Sequence, residues 1–167
     1  MGPLRDFALP DATALRASLR RGGAKWFKRL RVRRICVTDE EECIHYLLSR
    51  FPGFSPHWEE HHASWGDEPN GLMLALAAFG HYAAEAIERG DTTELVAIAE
   101  ATDRLVDWPS DHVQTATLYG FLEGLTNRCL GEPSRLPFQR LARYLGPSAI
   151  AACRDLDDQW GTQTPGV

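Results

Sequence analysis

The sequence predicts an all-α protein, an irregular antiparallel helical bundle or short helical solenoid carrying a basic N-terminal arm. Three observations carry that expectation. Strand-like alternation is limited to one weak stretch, "LRVRRICV" from Leu30 to Val37, which reads equally well as arm or helix end. Beyond it, apolar residues recur at spacings of three and four. Capping residues and Pro/Gly stops divide that pattern into helix-sized blocks. Residues 1–37 are therefore assigned to the arm, 38–160 to one helical domain and 161–167 to a frayed tail.

Thr38-Asp39-Glu40-Glu41 has the form of a capping box, with a hydroxyl for the third helical N–H and a Glu reaching back. Ile44, Leu47, Leu48 and Phe51 mark one face of the helix it opens, and Pro52-Gly53 stop it. Ser55-Pro56 starts a second helix, because Pro at the first helical position lacks an N–H that would have no partner anyway. "WGDEPNG" ends it. The block from about Leu72 to Arg89 is apolar nearly all round, which predicts a central position, and Gly90 is its left-handed cap.

Asp91-Thr92-Thr93-Glu94 reads as a second box with Asp as the cap. The helix behind it turns Leu95, Ile98, Thr102, Leu105 and Val106 inward, and Glu100, Asp103 and Asp107 outward. Trp108-Pro109-Ser110 closes that helix and caps the next, about Asp111 to Leu130, whose stripe is Leu118, Leu122, Leu125 and Cys129. Ala116, Gly120 and Gly124 lie four apart along one ridge of it. Each interior glycine costs about 1 kcal/mol relative to Ala, so a neighbouring helix approaching closely is the expected compensation. Two shorter helices, near Leu136 to Leu145 and Pro147 to Asp158, lead into the tail.

Charge is distributed unevenly. The chain of 167 residues has a formal net charge of −5. From Ala12 to Thr38 there are nine basic residues and no acid, whereas Asp39 to Val167 holds eight Lys/Arg against 21 Asp/Glu, a net −13. An acidic body selects for cationic partners and against polyanions. The arm, with Trp26 and Phe27, has the composition to contact phosphates and bases. Gly71 to Ile87, the most apolar run, is 17 residues long and contains His81 and Glu85, which suits a buried helix better than a membrane span. No export-type apolar segment is read at the N-terminus, so the expected location is the cytoplasm, without a membrane partner. Cys36, Cys43, Cys129 and Cys153 form no C-x-x-C and read as small core residues.

The stretch His57-Trp58-Glu59-Glu60-His61-His62 contains H-x-x-E-H, the inverted zinc-protease pattern. Helical spacing puts His57 and His61 on one face, but a zinc site needs a third ligand and an open position, and the sequence identifies neither. Trp58, His62 and Trp65 follow instead the i, i+4, i+7 spacing of a buried aromatic face. His81 and Glu85 have the spacing of a helix-surface contact. Glycine-rich phosphate loops and the G-x-S-x-G elbow are absent from the sequence. No catalytic residue, metal or cofactor is assigned.

Phe51-Pro52-x-Phe54, Trp58-Glu59-Glu60, Gly90-Asp91 and Phe121-Leu122-Glu123, within about Glu40 to Arg128, resemble a group of small uncharacterised bacterial helical proteins. That group looks like the immunity proteins encoded beside polymorphic toxins. The resemblance implies a protein without catalysis that covers the active cleft of a co-encoded toxin. With the acidic balance, it makes Glu59, Asp67, Glu68, Asp91, Asp107 and Asp111 the expected carboxylates for toxin Arg/Lys, and Trp65 the expected anchor. An adaptor contacting nucleic acid through the basic arm, and a zinc hydrolase using H-x-x-E-H, are the alternative expectations.

Overall fold

Aromatic and small residues alternate along Leu72–Arg89 in a way that lets several helices approach it at once, and the fold is arranged around that element. A computed structural model describes residues 37–65, 71–130 and 136–167, all within the unit Arg34–Val167. Among these residues the α-helices are α1 (Val37–Arg50), α2 (Ser55–Trp65), α3 (Leu72–Arg89), α4 (Thr92–Val106), α5 (Asp111–Ala116), α6 (Glu123–Leu130), α7 (Gln139–Ala142) and α8 (Pro147–Trp160). A 3-10 turn, Pro52–Phe54, joins α1 to α2, and a π-helical stretch, Thr117–Leu122, joins α5 to α6. No strand occurs among the described residues, so the fold is all-α. The basic arm lies outside them except for Val37, the first residue of α1.

Helix α3 packs against α2, α4, α5, α6 and the π stretch, while α4 also meets α7 and α8. In a solenoid each repeat touches only its neighbours, so this is a bundle around a central helix. Phe79 of α3 gathers Phe51, Phe54 and Phe121 with ring centroids 5.2, 5.2 and 5.1 Å away. Such pairs add roughly 0.5–1.5 kcal/mol each beyond the area they bury. Gly90 ends α3 at φ +71°, the left-handed cap its position predicts.

Several local expectations are corrected. Val37 is already helical, so Thr38 sits inside α1 and is not its cap. Asp91 does cap α4, accepting from the N–H groups of Thr93 (3.0 Å) and Glu94 (3.2 Å), but the Glu94 carboxylate turns to Tyr82 and Arg89. Trp58 is half-buried and stacks on an exposed His62 at 5.7 Å, so these two residues of the expected face are not fully buried, while the side chain of Trp65 lies outside the described residues. The tail is held: Asp157 accepts from the hydroxyls of Thr162 (2.8 Å) and Thr164 (2.9 Å) and from the Thr164 N–H (2.8 Å), and Thr164 is buried.

The π stretch explains the glycine ridge. Glu123 N–H donates to Leu118 O, five residues back, which inserts one residue into the helical count. Before it the inward residues are Val113, Ala116, Thr117 and Gly120; after it they are Leu122, Leu125, Thr126 and Cys129. One inserted residue rotates the following face by about 100°. Gly120 therefore faces α3, where an added Cβ would meet the Met73 carbonyl oxygen and lie 3.0 Å from its carbon. Gly124, on the same ridge in the sequence, is turned to solvent with nothing within 4 Å of an added Cβ.

Candidate functional site

Carboxylates dominate the described surface, and the fold uses some of them internally. Asp103, expected to face outward, is half-buried and accepts from the N–H groups of Gly146 (2.6 Å) and Ala149 (3.0 Å). It caps α8 from another helix. The cap has to come from elsewhere because Gly146 carries no side chain and Pro147 no N–H. A Cβ at Gly146 would lie 2.7 Å from the Asp103 carboxyl carbon, so a side chain there displaces that carboxylate from its capping position.

At the far end of α4 the turn into α5 carries Asp107 and Asp111, both exposed, on either side of the buried Trp108. Tyr46 of α1 meets the Trp108 ring at 5.9 Å, and the Arg104 guanidinium sits 4.4 Å from the Tyr46 centroid and 5.5 Å from that of Trp108. A cation held over two rings gains roughly 0.5–1 kcal/mol at an exposed site and fixes the geometry of the turn. Two exposed carboxylates are thus presented on a rigid aromatic base.

The other expected binding residues are spread over the surface. Asp91 is at the opposite end of α4 from Asp107, 16 residues away and so about 24 Å along the axis. It borders a cleft of about 300 Å³ with Phe51, Gly53, Tyr82 and Glu94. Glu59 is exposed on α2. The side chain of Trp65, together with Asp67 and Glu68, lies outside the described residues. Asp107 and Asp111 share the α4–α5 turn; Asp91 lies at the other end of α4.

The histidine-rich stretch splits in several directions. His57 Nε2 lies 3.5 Å from a Glu85 oxygen and its ring meets Tyr82 at 5.8 Å, whereas His61 contacts Trp58 at 6.1 Å. Burial, then the neighbouring His62, lowers the pKa of His61. Among the described residues no group of three or more His, Cys, Asp or Glu is placed to hold a metal ion. His81 is not the partner of Glu85. It faces Arg128, 3.2 Å from its Nδ1, while Glu85 is 3.7 Å from Arg89. Burial, then the Arg128 charge, depresses the pKa of His81.

Tyr82 donates to Glu94, and burial followed by that carboxylate raises its pKa above the ordinary tyrosine value. Glu123 is half-buried; burial raises its pKa and a hydrogen bond from Asn127 opposes the shift. Neither the Tyr82–Glu94 contact nor the Arg104 stack is signalled in the sequence, because each joins residues on different elements or opposite sides of a turn. Only the bare Gly146-Pro147 pair gave a hint, a helix start lacking a cap of its own.

Residues 44–161 match the family described as "Domain of unknown function (DUF7674)". The chain belongs to that family. The match runs from the middle of α1 to the end of α8, past residue 128 where the motif resemblance stopped, so the last helices are part of the family's common body. The description assigns no activity to the family. Curated proteins and solved structures give no match. Among the described residues no helix is long and apolar enough to cross a membrane.

Proposed function

We propose that this chain is an immunity-type binding protein, acting without catalysis by covering the basic active cleft of a protein toxin with its acidic helical surface. The observation that carries this reading is the unequal use of charge. Its arginines are largely committed within the fold: Arg50 to Glu100, Arg89 to Glu94, Arg104 to two aromatic rings, Arg128 to His81 and Arg140 to helix carbonyls. Glu41, Glu42, Glu59, Glu60, Asp107, Asp111, Asp155 and Asp158 are exposed and belong to no ion pair among the described residues.

Uncompensated surface carboxylates speed encounter with a cationic partner and disfavour polyanions. Asp107 and Asp111, exposed on the turn that carries the buried Trp108, are the pair offered to toxin Arg/Lys. The motif resemblance to immunity proteins points the same way. The test is to co-express the chain with the product of a toxin-like gene beside its own. Restored growth and co-elution as a one-to-one complex are expected, and Asp107→Lys with Asp111→Lys should weaken the complex at least about ten-fold. Deleting residues 1–37 should leave the complex intact, whereas nucleic-acid binding that the deletion abolishes favours the adaptor reading. Failure to rescue and to co-elute rejects the immunity role.

A further inference from the structure

From Asp39 onward the chain holds only eight Lys/Arg, yet three of them border one cleft. Arg89, Arg140 and Arg143, with Thr92 and Tyr144, line a cleft of about 350 Å³ where the end of α3, the start of α4 and the region of α7 meet; Gly90 and Leu95 complete its wall. Guanidinium groups gathered around one space repel each other unless something compensates.

For two of them the fold supplies a reason. Arg89 is 2.6 Å from Glu94 and 3.7 Å from Glu85, so its charge is balanced. Arg140 donates through Nη1 to the carbonyls of Ile87 (3.0 Å) and Glu88 (2.9 Å), which closes the C-terminal end of α3. Arg143 is held more loosely and its side chain is exposed. Among the described residues its one side-chain hydrogen bond is a long one from Nε to Gln139 O, 3.4 Å, within its own turn. Among the described residues neither Arg140 nor Arg143 pairs with a carboxylate. Among the described residues, two guanidinium groups without a carboxylate partner therefore border one cleft in an otherwise acidic body.

We propose that this cleft binds the phosphate group of a small organic phosphate ester, held by Arg143 and by the Arg140 nitrogens not engaged with α3. The ligand class follows from charge, size and surroundings. A phosphate monoester carries nearly two negative charges at neutral pH, which balances two guanidiniums, whereas a carboxylate balances one. The planar guanidinium suits phosphate oxygens in a bidentate arrangement. Thr92 and Tyr144 bring hydroxyl donors to the same cleft. The volume is at the small end of ligand pockets. Long polyanions such as nucleic acid meet the repulsion of the surrounding −13 body, which a compact ester feels far less.

Titration of the full-length chain with phenyl phosphate, followed by calorimetry and by 31P NMR at low ionic strength, tests this. Saturable one-to-one binding is expected, at least about ten-fold tighter than inorganic phosphate or benzoate. Arg143→Gln should weaken it about ten-fold or more while leaving the melting temperature nearly unchanged, since the Arg143 side chain is exposed and its bond to Gln139 O is long. Arg154→Gln, on the exposed side of α8, should leave binding unaltered. The proposal is overturned if phenyl phosphate does not saturate, if Arg143→Gln binds as well as the parent, if Arg154→Gln weakens binding equally, or if benzoate binds as tightly.

Discussion

Gly120 and Gly124 allow the same substitution to be made twice in one helical run with opposite expected results. Either Gly→Ala change relieves the entropic burden of an interior glycine and gains about 1 kcal/mol from that source. At Gly124 nothing lies within 4 Å of the new methyl, so the gain stands and Gly124→Ala stabilises by about 0.5–1 kcal/mol. At Gly120 the methyl overlaps the Met73 carbonyl oxygen and lies 3.0 and 3.1 Å from the Met73 carbonyl carbon and Cα. Those are backbone atoms of the central helix, which cannot swing aside as a flexible side chain would. Overpacking of this kind costs about 1–3 kcal/mol, and contact with backbone places Gly120→Ala near the upper end. Subtracting the gain leaves a destabilisation of about 2 kcal/mol. Urea unfolding at constant m-value should show the two midpoints on opposite sides of the parent, and at about 2–4 °C per kcal/mol Gly120→Ala should melt about 4–8 °C lower. If both variants shift the same way, the π-helical register at Thr117–Leu122, which separates the two glycines, is refuted.

Asp103→Ala removes the cap that α4 lends to α8 and should cost about 1–2 kcal/mol in urea unfolding; an unchanged midpoint would show that Gly146 and Ala149 do not depend on that carboxylate. His81, whose pKa burial and Arg128 depress, should make stability fall as the pH drops from 7 toward 5. The unfolded chain takes up a proton near the ordinary value of 6.5 that the folded chain resists, so His81→Gln should flatten that part of the profile, and an unaltered slope argues against the Arg128 contact. Burial pushes the thiols of Cys43, Cys129 and Cys153 up to about 12, so peptide mapping after iodoacetamide treatment at pH 8 should find these three unmodified until urea unfolds the chain.

Legibility followed the range of the interactions. The Pro52-Gly53 stop, the start at Ser55-Pro56, the Asp91 cap and the left-handed Gly90 are decided within a few residues, so each stood in the sequence where the structure has it. The apolar character of Leu72–Arg89 similarly foretold its central position, because a helix without a polar face has to be covered on every side. The acidic surface was legible as a charge balance, but its division into ordered and committed carboxylates was not. Asp103 looked like a solvent residue by periodicity and became a cap because a helix 43 residues later begins beside it. Asp91 and Asp107 looked alike by composition and ended about 24 Å apart on one helix axis.

What the sequence determined alone was the helical class, most element limits and the sign of the surface. What only the tertiary structure decided was the one-residue insertion between α5 and α6, the pinning of residues 161–167 by Asp157, and the meeting of Arg140 and Arg143 with Arg89. Helical periodicity and capping are written in residues three or four apart, whereas these features join groups whose distance is set by how the helices pack.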